Sequence, residues 1–124
     1  VVRILTSRIL ICGDRNWTDR EMIKQLLVKL KPSVVIEGVC RGADVLAGEV
    51  AEELNIKVLK FPAEWTNYGC SAGPIRNKKM LDEGKPTMVV AFHDCLEKSK
   101  GTKNMLLQAK KAGLLTMVIS HSVA

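Results

Sequence analysis

The feature that most constrains this chain is a regular alternation. Short, mostly apolar runs of three to six residues take turns with longer segments whose apolar residues recur every three or four positions. Arg8 to Cys12, Val34-Val35-Ile36, Ile56 to Phe61, Thr87 to Phe92 and Leu115 to Ile119 read as strands. They are apolar runs, not alternating ones, which suits strands buried on both faces. Between them, Met22, Ile23, Leu26, Leu27 and Leu30 form a helical stripe that Pro32 ends, and the Thr18 to Glu21 spacing resembles a capping box. A second helix is expected from about Gly42 to Leu54, with Leu46, Ala47, Val50, Ala51 and Leu54 inward. Residues 62–73 form a polar connection. Pro74 suits the first position of a third helix reaching Glu83, and Thr102 can cap a fourth that Gly113 stops. Five strands alternating with four helices predict an α/β, three-layer domain with a five-stranded parallel sheet, because right-handed crossovers wind such units onto both faces. The expected strand order is 3-2-1-4-5, with the topological switch between the first and fourth strands. One domain is expected over residues 1–124, its core at about 8–120; the role of Val1 to Leu5 stays open.

Composition narrows the class further. The chain is 47% hydrophobic, which disfavours disorder, and no apolar run approaches the ~20 residues of a membrane-spanning helix. The opening residues lack a seven-residue apolar stretch and a small-residue cleavage site, so no secretory leader is expected. Cys12, Cys40, Cys70 and Cys95 lie 25 to 30 residues apart with no C-x-x-C pair, which argues against a zinc knuckle or redox motif. They are read as reduced thiols in a cytoplasmic protein. No cofactor and no metal are expected. The net charge of +6 is uneven. Residues 1–73 carry 10 basic and 9 acidic side chains, residues 74–124 carry 9 and 4. A basic half invites an anionic partner, or is simply a solvated lysine surface.

The unusual residues cluster in the strand-to-helix connections: 13–17, 37–44, 63–77 and 93–102. All four gather at the carboxyl edge of a parallel sheet, where ligand crevices of open α/β sheets lie. Gly38, Gly42 and the Gly101-Thr102 pair beside helix starts suit close backbone approach to a phosphate, or are turns that need positive φ. Arg15, Arg41 and Arg76 can fork onto phosphate or carboxylate, or form surface ion pairs. Asp14, Glu37, Asp44, Glu64 and Asp94 are the carboxylates at that edge, able to orient a ribose hydroxyl or work as acid or base; Asp44 can also cap its helix. Trp17, Trp65 and Tyr68 sit in these loops, as stacking surfaces for a base or as a lid. No G-x-x-x-x-G-K-[ST] and no G-x-G-x-x-G after the first strand is present, against a Walker NTPase and ordinary NAD binding.

Gly13-Asp14-Arg15-Asn16-Trp17, Gly38-Val39-Cys40-Arg41-Gly42-Ala43-Asp44, Ala63-Glu64-Trp65, Ala72-Gly73-Pro74-Ile75-Arg76-Asn77 with Met80, and Gly101-Thr102-Lys103-Asn104-Met105 together resemble the YspA-type, YpsA-related branch of the SLOG superfamily. The resemblance covers roughly residues 8 to 120. It implies a Rossmann-like domain that binds a nucleotide or nucleotide-derived ligand, possessing a sensor role in the leading reading. The implied ligand-binding set is Gly13, Arg15, Gly38, Arg41, Gly42, Asp44, Trp65, Arg76, Asn77, Gly101 and Thr102. Lonely-guy-type relatives hydrolyse the N-glycosidic bond of nucleoside monophosphates with an arginine and a glutamate. Arg76, Lys79 and Met80 resemble the first element, but Met105 stands where the glutamate would be. An N-glycoside hydrolase is therefore the rival reading, with Arg76 and Glu64 (or Glu37) as catalytic residues. The DNA-processing relative makes a single-stranded nucleic-acid binder the third. Expected partners are a nucleotide-like small molecule, nucleic acid only weakly, no membrane, and a second copy of the chain, since related domains commonly pair.

Overall fold

The computed structural model describes residues 7–121; Val1 to Leu5 lie outside them. One sheet of five parallel strands runs in the order β3-β2-β1-β4-β5. The strands are β1 (Arg8–Gly13), β2 (Val34–Glu37), β3 (Lys57–Lys60), β4 (Met88–Phe92) and β5 (Leu115–Ile119). The helices are α1 (Arg20–Leu30), α2 (Ala43–Glu53), the single turn α3 (Trp65–Tyr68), α4 (Ala72–Gly84) and α5 (Lys100–Lys111). The fold is α/β and Rossmann-like, with the switch between β1 and β4 as the order requires.

Side chains of a strand alternate between faces, and here each face has its own core. Ile9, Ile11, Val35, Val90 and Phe92 pack with Ile23 and Leu27 of α1 and Ala43, Ala47, Val50 and Ala51 of α2. Leu10, Cys12, Val34, Ile36, Val89 and Ala91 pack with Met80 of α4 and Met105, Leu106 and Ala109 of α5. The run of small residues along α2 lets it lie close to the sheet, which fixes the height of its N-terminus at the carboxyl edge. The strands are not all buried on both faces. β1, β2 and β4 are, whereas β3 and β5 are edge strands with half-exposed residues; Leu115, Met117 and Val118 of β5 reach solvent.

Three helix starts differ from the spacing-based expectation, two of them because a neighbouring side chain reaches the free N–H groups better. Asp19, not Thr18, caps α1, its carboxylate accepting from the Met22 N–H at 3.2 Å. Ser99, not Thr102, caps α5 by accepting from the Thr102 N–H at 3.2 Å. Pro74 is the third residue of α4, which begins at Ala72 after a 3-10 turn over Gly69–Ser71, so the polar connection holds one α-helical turn and one 3-10 turn. Lys31 ends α1 in the left-handed conformation just before Pro32, and Gly113 (φ 78°) follows α5. No helix of the described residues is long and apolar enough to cross a membrane.

Candidate functional site

A cleft of about 490 Å³ opens at the carboxyl edge, over the switch between β1 and β4. Four connections wall it, and Cys12 and Met105 close its floor. Of the residues expected to bind a ligand, Gly13, Arg15, Arg41, Asp44, Arg76, Asn77, Gly101 and Thr102 line it. Trp65 lines a neighbouring cavity instead. Gly38 and Gly42 lie behind the wall, and Glu64 lines neither cavity: it is exposed and accepts from the Asn67 amide at 2.9 Å.

The glycines divide by role. At Gly42, φ is +84° and an added Cβ would lie 2.3 Å from the Asp14 carbonyl oxygen and 2.5 Å from that of Arg15. Its missing side chain therefore seats the β1 loop on the start of α2, where the Ala43 N–H donates to the Asp14 carbonyl at 3.1 Å. That helix N-terminus is covered by protein. Gly101 is the opposite case, with nothing within 4 Å of an added Cβ. The first turn of α5 faces the cleft through Ser99, Lys100, Gly101 and Thr102.

Arg76 enters from α4. Its guanidinium donates to the Gly38 carbonyl and the Asn77 side-chain oxygen, and two of its nitrogens lie 3.8 Å from the Cys40 sulfur. A Cβ at Gly38 would collide with it at 2.4 Å, so this glycine makes room for the arginine. Asn77 is buried and donates to the Gly101 carbonyl (3.3 Å) and to Asn104 (3.1 Å), tying α4 to α5 across the cleft.

Asp44 does not cap α2. Its Oδ2 accepts from the Gly38 and Cys40 N–H groups at 3.1 and 3.3 Å, folding the β2 loop back over the carboxylate. Asp44 is buried, and burial raises its pKa to about 6 against the pull of Arg76 and those two donors. Its Oδ1 has no partner among the described residues. Glu37, buried at the end of β2, is pushed to about 7 by burial, opposed by its bond from the Val39 N–H. Gly48 leaves the space for it: a Cβ there would lie 2.6 Å from Glu37 Oε2. Burial and the nearby Asp44 charge push the Cys12 thiol far up, so it stays protonated on the cleft floor.

The cleft is cationic. Arg15, Arg41, Arg76, Lys98 and Lys100 line it against Asp14 and Asp44. Arg41 leans on Asn16 at 3.3 Å, but Arg15, Lys98 and Lys100 bond to no protein group among the described residues. Lys98, Lys100 and His93 also line it, although they are not among the residues expected to bind the ligand. His93 is buried, with Nδ1 accepting from the Cys95 N–H at 3.0 Å; that bond leaves the proton of the neutral ring on Nε2. No sequence signal marks this, because it depends on how the β4 loop turns.

Trp17 is not a stacking surface for a ligand. It is buried, 5.5 Å from Phe92 between ring centres, and stacked on His121 at 4.5 Å. His121 bridges Asp94 and Asp19 at 2.8 Å each and so staples the end of β5 to the start of α1. Among the described residues no group of three or more His, Cys, Asp or Glu side chains is placed to hold a metal.

A parallel sheet in this order, with a cationic cleft at its switch point and glycine-bearing loops after β1 and β2, defines a Rossmann-like domain with its open cleft where such sheets carry their crevices. The chain belongs to the YspA, cpYpsA-related SLOG family, whose pattern matches residues 7–68, half of the chain. Among solved structures the chain is similar to DNA processing protein A (DprA) from Streptococcus pneumoniae, with a TM-score of 0.75 at 14% identity. The likeness covers 95% of this chain and 52% of that one, so the chain spans about half the length of that structure. At this identity the likeness speaks for the fold. No curated protein matches the sequence at a significant level.

Proposed function

We propose that the chain binds a nucleotide or nucleotide-derived small molecule in this cleft and works through that binding, as a sensor. The observation that carries the reading is a set of cations without protein partners, Arg15, Lys98 and Lys100, around the open first turn of α5. Unpaired cations and free N–H groups at a helix start together favour a phosphate. Calorimetry with a panel of nucleotides, guided by mass spectrometry of small molecules released from the purified protein, tests it. Arg15→Ala and Lys100→Ala should each cost about 1.5–3 kcal/mol, the range for a hydrogen bond to a charged group. Unchanged affinity in both variants, with the fold intact, overturns the reading. Arg76→Ala should weaken binding too, but it also releases the Gly38 carbonyl and thus the β2 loop.

Asp44 favours a second reading, hydrolysis of an N-glycosidic bond. It is the buried carboxylate of the cleft, beside Arg76, with one oxygen unengaged. A carboxylate titrating near 6 can take a proton from water at neutral pH. Glu64, the substitute suggested by the sequence, would have to swing out of its bond to Asn67 to take that part. Self-association, expected from the resemblance, is supported by the exposed Leu115, Met117 and Val118 on β5.

A further inference from the structure

Beside the cationic cleft lies a second cavity of about 620 Å³, lined by Arg15, Val39, Cys40, Arg41 and Trp65. Arg15, Cys40 and Arg41 line both, so the two are lobes of one groove. The lobes differ in chemistry. The first offers cations and hydrogen-bonding groups. The second offers an indole that is 51% exposed and an aliphatic side chain that is 41% exposed. Each lobe has the volume of a small-molecule site in its own right.

Neither apolar side chain is explained by packing. Trp65 pairs with no other ring among the described residues. Its ring tip lies beside Gly73, where an added Cβ would be 3.7 Å away. Val39 has φ +64°, a left-handed conformation that a β-branched residue rarely adopts. The Val39 N–H bond to the buried Glu37 and the Gly38 and Cys40 bonds to Asp44 hold the loop in that shape. Strain maintained by two buried carboxylates presents Val39 to the second lobe, and such strain gathers at ligand sites. Arg15 and Arg41 stand where the lobes meet.

We infer that the groove takes a dinucleotide: two nucleoside units joined through phosphate. One unit lies in the cationic lobe, the linking phosphate lies against Arg15 and Arg41, and the second unit stacks on Trp65. This rests on the nucleotide reading above and names its substrate class. A mononucleotide would fill one lobe and leave Trp65 and Val39 in water. A long single strand fits less well, because sequence-tolerant strand binding uses successive rings. Here Tyr68, the next exposed ring, lines neither lobe.

The test is calorimetry with four probe types in adenine and guanine forms where both exist. They are a mononucleotide (AMP, GMP), a pyrophosphate-linked dinucleotide (NAD⁺), a phosphodiester-linked dinucleotide (pApA, pGpG) and a 20-nucleotide thymidine strand. The wild-type chain, Trp65→Ala and Trp65→Phe are compared. One dinucleotide should bind about 5- to 100-fold more tightly than the mononucleotides, the margin expected for stacking one base on an aromatic ring. Trp65→Ala should remove that margin and leave mononucleotide affinity unchanged, while Trp65→Phe keeps most of it. Equal binding of mononucleotides and dinucleotides overturns the inference but leaves the nucleotide reading standing, as does a Trp65→Ala variant that weakens mononucleotides equally. A strand that outcompetes both dinucleotides overturns the small-molecule assignment in favour of nucleic acid. No binding of any probe overturns both readings.

Discussion

Gly42 and Gly101 both look like phosphate-cradling glycines in the sequence, and the structure gives them opposite jobs that one pair of alanine variants can separate. At Gly42, with φ +84° and ψ −129°, an alanine sits in a region closed to L-residues, and its Cβ meets two backbone carbonyls at 2.3 and 2.5 Å. Holding a residue in such a conformation costs about 1–3 kcal/mol. Backing the β1 loop away to relieve the clash stretches the Ala43 N–H bond to Asp14, worth about 0.5–1.5 kcal/mol. Gly42→Ala should therefore lose roughly 2–4 kcal/mol of stability, about 8–16 °C in Tm for a chain of this size. At Gly101 nothing lies within 4 Å of the new Cβ, and the residue is helical. Alanine there should leave stability unchanged or raise it by up to about 1 kcal/mol. The same methyl projects from the first turn of α5 at the cleft, so nucleotide affinity should fall about tenfold or more, at least 1.4 kcal/mol. Urea unfolding monitored by circular dichroism measures the first quantity, calorimetry the second. The reverse pattern, with Gly42→Ala stable and Gly101→Ala binding as well as wild type, would refute the division of roles.

Three further outcomes are expected. His121 is raised above its ordinary value by Asp94 and Asp19, and both aspartates are lowered. The staple's stabilisation should therefore be present in full between the ordinary carboxylate and histidine values, about pH 4–6.5, and fade as pH rises through the raised value or falls through the lowered ones. Unfolding curves from pH 3 to 9 should show this bell and His121→Ala should flatten it; an identical pH profile in the variant would dismiss the staple. Glu37 titrates near 7, so the folded state resists its ionisation, and stability falls as pH rises from about 4.3 through 7. Glu37→Gln should thus gain about 1–3 kcal/mol relative to wild type at pH 8 and little at pH 4; a gain that does not grow with pH would contradict the assignment. If nucleoside monophosphates are hydrolysed at all, Asp44→Asn should lower kcat by about 10²–10³, the usual cost of losing one electrostatic contact to the transition state, and Glu64→Gln should not; turnover lost only in Glu64→Gln would restore the loop glutamate.

The fold was legible because its determinants are local and redundant. Five apolar runs, four helical stripes and short helix-to-strand returns leave few ways to wind the chain, and β1, β2 and β4 show the double-sided burial their composition demands. Helix starts were less legible. Several side chains near a turn can reach the free N–H groups, and only the three-dimensional path selects Asp19 over Thr18 and Ser99 over Thr102. The cleft's position followed from topology alone, but the sequence gives no measure of which loop residue turns inward. Trp17 and Trp65 occupy equivalent places in their connections. Trp17 is drawn into the core between Phe92 and His121, whose partner in sequence lies more than a hundred residues away.

The same ambiguity governs charge. Arg15, Arg41 and Arg76 are alike in the sequence, yet the structure grades them. Arg76 is engaged with the Gly38 carbonyl and Asn77, Arg41 reaches Asn16, and Arg15 has no partner among the described residues. An arginine already satisfied by protein gains little from a phosphate, because it must give up a bond to make one. The free one gains the full charge-assisted bond. Arg15 also lies where the two lobes join, so it is placed to hold a ligand there, while Arg76 holds the loop that shapes both lobes. On the proposed reading, recognition and preorganisation thus fall to different arginines, a division that residue type and spacing could not express.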